Sequence, residues 1–68
     1  MTLADMRPGD MGVILAAPAA LSRLQICAGE RVRLITVSEE IVLIDAGGMR
    51  FALSLATAQQ MILTTYYE

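Results

Sequence analysis

Three consecutive apolar runs joined by two very short connections constrain this 68-residue chain more than any other feature. The runs at 32–37 and 41–45 are rich in Val, Ile and Leu and are separated only by Ser38-Glu39-Glu40, which is a hairpin connection. Ala46-Gly47-Gly48 then leads into Met49-Arg50-Phe51-Ala52-Leu53, where Met49, Phe51 and Leu53 share one face by strict alternation. A three-stranded antiparallel meander follows. Within its first strand Val32 and Leu34 alternate with Arg33, whereas Ile35 and Val37 add apolar groups to the second face, so that strand is expected to be covered on both sides.

The flanking segments supply the remaining elements. Thr2-Leu3-Ala4-Asp5 has the spacing of a capping box around a helical turn, and Arg7-Pro8-Gly9-Asp10 reads as a type II turn, with Asp10 closing it through its own backbone. A short strand at 12–15 comes next. Residues 18–27 then read as a helix of two to three turns, with Pro18 in its first turn, Leu21, Leu24 and Ala28 on an inward face and Gly29 as a left-handed stop. Ser54 caps a helical turn through about Gln60, and 61–65 form a closing strand with Tyr66-Tyr67-Glu68 as its tail. The expected architecture is all-β: a small, partly open barrel of about five strands, with one short α-helix after the first strand and a helical turn before the last.

Composition narrows the function. One domain over 1–68 is all that this length allows, and 56% apolar residues are too many for a disordered chain. A single cysteine, Cys27, cannot form an internal disulfide, the amino terminus lacks the basic-then-apolar order of a signal peptide, and no run approaches the roughly 18–20 apolar residues of a membrane span. The expected location is cytoplasmic. Net charge is −2 and the five basic residues, all arginine, form no stripe, which disfavours nucleic acid.

Chemistry is disfavoured as well. The chain has no histidine and no lysine, and Ser22 and Ser54 lack a partner to activate them, so no enzyme is expected. No metal or cofactor site is expected either: Glu39 and Glu40 are adjacent and would point to opposite faces of a strand, and Cys27 is the only thiol. Cys27 is expected to fill space at a helix end. Gly47-Gly48 lacks the further glycines and the lysine of a phosphate loop and reads as a turn, and Arg50 reads as part of a solvated face. Met6, Met11 and Met49 are assigned to core packing before a partner-facing patch, and Tyr66 and Tyr67 are either a frayed end or an interface anchor.

The spacing Leu21-x-x-Leu24-x-Ile26-x-x-Gly29-x-x-Val32, with Pro8-Gly9-Asp10-x-Gly12 before it and Ile41-x-Leu43, 48–53 and Ala58-x-x-Met61-Ile62 after it, resembles the FeoA family, small cytosolic SH3-like barrels associated with bacterial ferrous iron uptake. The resemblance runs over almost the full length. It departs where Gln25 replaces a usual glycine and Ala28 a usual proline, where the loop at Ser38-Glu39-Glu40 is shorter, and where the basic residues early in the helix reduce to Arg23. It implies a non-enzymatic accessory protein acting by protein–protein interaction with the FeoB-type transporter and meeting the membrane only through it. The helix is the main addition to a bare barrel, so Leu21, Arg23, Leu24 and Cys27 are the expected partner-binding residues. An alternative is a regulatory module similar to the C-terminal SH3-like domain of metal-dependent transcriptional repressors. Open strand edges also allow self-association as a homo-oligomer.

Overall fold

The structure, a computed structural model, describes residues 1–65. Five strands form one antiparallel sheet: β1 Met11–Ala16, β2 Arg31–Val37, β3 Ile41–Ala46, β4 Met49–Ser54 and β5 Ile62–Thr65, in the order β4-β3-β2-β1-β5. Inward side chains from every strand, including Ile14, Val32, Leu34, Val42, Ile44, Leu53 and Leu63, meet in a single apolar cluster. The sheet must therefore curl around them. Two bulges help to bend it, at Leu15 between β1 and β5 and at Ile35 between β2 and β3, because an extra residue on one strand kinks it and increases its twist.

Curling does not become closure. Among the described residues β4 and β5 are edges that do not pair with each other. The gap between them is spanned by α1, Leu55–Gln59, and by an amino-terminal 3-10 turn, Leu3–Asp5. Leu3, Ala58 and Met61 are each 0% exposed, and the Leu3 N–H donates to the Met61 carbonyl at 3.1 Å. Both expected caps are present. The Asp5 carboxylate accepts from the Thr2 N–H at 2.9 Å and the Thr2 hydroxyl at 3.1 Å, bonds that hold its pKa below the ordinary value, and the Ser54 hydroxyl accepts from the Thr57 N–H at 3.2 Å.

The turn before β1 forms as read, with Gly9 at φ 92°, the Asp10 N–H bonded to the Arg7 carbonyl, and the Asp10 carboxylate accepting from the Arg7 N–H. Gly47 and Gly48, at φ 61° and 80°, make the two-residue β3–β4 turn.

Three expectations need correction. The segment after β1 is not an α-helix over 18–27 but a 3-10 helix, Ala19–Leu24. It stops at Gln25, not Gly29: Gln25 is left-handed at φ 62°, its N–H bonds the Ser22 carbonyl at 3.0 Å, and the Ile26 N–H bonds the Leu21 carbonyl at 3.2 Å, the paired bonds of a Schellman ending. The driving force is Ile26, 1% exposed, which the reversal turns into the core. Gly29 instead belongs to the turn into β2, closed by the Glu30 N–H on the Cys27 carbonyl. Nor is the second face of β2 covered. Past the bulge Val37 is 37% exposed and Ile35 only half-buried. Met6 does lie in the core, but Met11 is half-buried and Met49 is 63% exposed.

Gly12 sits where β1 and β5 approach closely. A Cβ there would stand 3.1 Å from the Thr64 carbonyl oxygen and 3.2 Å from Leu63 Cδ2. Gly12→Val should therefore push β5 away from β1 and lower unfolding stability by about 1–3 kcal/mol, measured by urea denaturation.

Candidate functional site: an apolar depression between the 3-10 helix and the β3–β4 hairpin

The end of the 3-10 helix lies against the start of β4 and leaves a hollow of about 280 Å³ lined by Arg23, Leu24, Gln25, Met49 and Phe51. It runs into a smaller recess of about 50 Å³ that adds Glu30, Ala46 and Gly47. Each wall has a local cause. Leu24 lies one 3-10 turn beyond Leu21 on the same side of the helix, so that Leu21 packs on the core while Leu24 overruns its edge and is 45% exposed. Met49 and Phe51 share the inward face of β4 with Leu53, but only Leu53 reaches the buried centre.

The left-handed Gln25 makes the floor possible. A non-glycine residue in that conformation costs about 1–2 kcal/mol, which the burial of Ile26 next to it offsets. This is also the position where the resembled family usually carries glycine. Two comparable hollows elsewhere set charged residues beside apolar ones, one with Glu39 and Glu40 next to Ser38 and Ile41, and one with Arg31, Arg33 and Asp45 next to Met11 and Val32, where Arg33 also donates to the Met11 sulfur at 3.4 Å. The depression beside Leu24 has an exposed apolar wall, and Arg23 at its rim supplies a positive charge.

Of the four residues expected to bind a partner, the depression gathers Arg23 and Leu24. Leu21 is half-buried against the core, and Cys27 lies past the helix on exposed backbone, its thiol 3.9 Å from the Gln25 carbonyl. Cys27 therefore does not fill space as expected; Ile26 does, because the chain reverses at Gln25, four residues before the expected stop at Gly29. Met49 and Phe51 enter the site from a strand 25 residues away in sequence, and only the alternation in β4 hinted at their shared face. Among the described residues no three of His, Cys, Asp and Glu come together as metal ligands could.

Neither a protein-family model nor a curated protein sequence matches the chain. Solved structures do. An iron uptake regulatory protein, FeoA, superposes with a TM-score of 0.87 at 20% identity, covering 97% of each chain. The chain has the SH3-like fold of FeoA proteins. FeoA of Stenotrophomonas maltophilia in complex with zinc, described as a prokaryotic SH3 domain protein, matches at a TM-score of 0.81 and 25% identity over 94% of this chain and 89% of that one. A manganese-dependent transcriptional repressor matches as well, at 0.89 and 18% identity over 97% of this chain but 36% of its own. The same fold is thus found in FeoA proteins and in part of a manganese-dependent transcriptional repressor.

Replacing Ile26 by Ala should cost about 2–5 kcal/mol of unfolding stability, whereas Cys27→Ser should stay within about 0.5 kcal/mol of the parent. Thermal and urea unfolding of the two variants would read the difference, and the reverse ranking would return Cys27 to the core.

Proposed function

We propose that this protein is a non-enzymatic, single-domain cytoplasmic accessory of bacterial ferrous iron uptake that docks on the cytoplasmic side of the FeoB-type transporter. The observation that carries this reading is an exposed apolar depression, with a cation at its rim, on a fold shared with FeoA proteins. One of those proteins is itself described as a candidate activating factor of ferrous iron transport. No helix among the described residues is long and apolar enough to cross a membrane, so contact with the bilayer would run through the transporter.

The physical role is recognition. A partner side chain entering between Leu24, Met49 and Phe51 removes apolar surface from water, and an acidic residue beside it meets Arg23. Nothing in this mechanism requires a bond to be made or broken in this chain.

A second reading keeps its own support. The match to the manganese-dependent repressor suggests a regulatory module that contacts a DNA-binding partner without touching DNA itself. A pull-down separates the two, since each reading names a different captured protein.

Leu24→Asp should weaken binding to the detergent-solubilised ferrous iron transporter at least about tenfold by biolayer interferometry, and Arg23→Glu should weaken it less and in a salt-dependent way. Undiminished binding by a folded Leu24→Asp variant would remove the depression as the docking surface.

A further inference from the structure

The outer flank of β4 is a sheet edge with no strand beside it, and α1 crosses the gap beyond its far end. In the two-residue hairpin at Gly47 and Gly48, Ala46 and Met49 are the hydrogen-bonded pair, so the ladder to β3 uses the backbone groups of Met49, Phe51 and Leu53. The N–H groups of Arg50, Ala52 and Ser54 and the carbonyls of Arg50 and Ala52 then point away from the sheet. Among the described residues no hydrogen bond from another segment meets them, and all three residues are exposed. Natural edges are commonly blunted by proline, by charged side chains or by an overlying element; β4 has no proline or lysine in its six positions, and Arg50 is its one charge.

We propose that this edge pairs with the same edge of a second copy of the chain, antiparallel, across a two-fold axis at Ala52. The sequence of β4 is complementary to itself in that register. Ala52 faces Ala52 of the second copy and Arg50 faces Ser54, so the outward-pointing groups meet as hydrogen-bonded pairs. Between them Phe51 faces Leu53, apolar against apolar. Charge fits too. The Glu40 carbonyl accepts the Leu55 N–H at 2.8 Å, which holds Glu40 beside the end of β4 that the Arg50 of the other copy approaches. Moving the two-fold axis by two residues toward the start of β4 would set Arg50 against Arg50, and moving it by two toward the end would leave fewer pairs.

A contact of one strand edge per copy buries less than about 1,200 Å² in total, the range of weak and reversible association. This dimer is independent of the transporter reading and stands or falls separately.

Sedimentation velocity of the full chain from about 10 μM to about 1 mM tests it. The wild type should pass from monomer to dimer across that range. Ala52→Lys, which sets two like charges face to face at the axis, should raise the dissociation constant at least about tenfold. Arg50→Glu should weaken the dimer, and Glu40→Arg added to it should restore the dimer. A wild type that stays monomeric throughout, association with other chains only, or a folded Ala52→Lys variant that dimerises as well as its parent would overturn the proposal. If Ala52→Lys does not fold, the wild type decides alone: exchange of the Ala52 and Ser54 amide protons should slow as concentration rises, and concentration-independent exchange would refute the seam.

Discussion

The whole arrangement depends on a seal made by side chains where the backbone does not close. Leu3, Ala58 and Met61 fill the gap between β4 and β5 without a ladder of hydrogen bonds joining those strands. In so small a chain that gap would otherwise open the single core to water, because a domain of this length buries only about 60% of its unfolded surface. The seal also holds the amino terminus in place, since the Leu63 N–H donates to the Met1 carbonyl at 2.9 Å and Thr2 bridges to Ile62.

Sealing the barrel with side chains has a consequence for its surface. β4 is tied down on one flank only, so its outer backbone groups and its first residues stay in solvent, and Met49 and Phe51 become a wall for the end of the 3-10 helix to complete. The Schellman ending at Gln25 does the rest by sending Ile26 inward while leaving Leu24 outside. One local reversal thus buries Ile26 and leaves Leu24 exposed on the wall of the depression. Neighbouring structures with this fold include FeoA proteins and part of a manganese-dependent repressor, so one scaffold is found in proteins of different names.

Much of this was legible in the sequence because β structure writes itself in local chemistry. Gly47-Gly48 with the alternation of Met49, Phe51 and Leu53 fixes a hairpin, and Pro8-Gly9-Asp10 and Ser54 announce a turn and a cap. The helix failed for a tertiary reason. Strong helix formers around Pro18 suggested two to three turns, but the pull of Ile26 into the core ends the segment after six residues, at a glutamine that does not itself favour a left-handed backbone; the glycine usual there in the resembled family was the one hint. Ile35 was equally opaque, since a bulge depends on the partner strand and not on the residue that occupies it. The candidate site joins Arg23 and Leu24 to Met49 and Phe51 only through the fold, and Tyr66 and Tyr67, named as an anchor or a frayed end, lie outside the described residues.

Native-state hydrogen exchange on the monomer tests the seal most directly. If Leu3, Ala58 and Met61 hold the barrel shut, the amide protons of Leu3 and Leu63, bonded to the Met61 and Met1 carbonyls, should exchange only through the opening that releases the central strands, with the same dependence on denaturant as Leu34. Exchange of those two amides through a low-energy opening, with β2 and β3 still fully protected, would mean that the amino-terminal turn is a loose flap and that the sheet holds together without it.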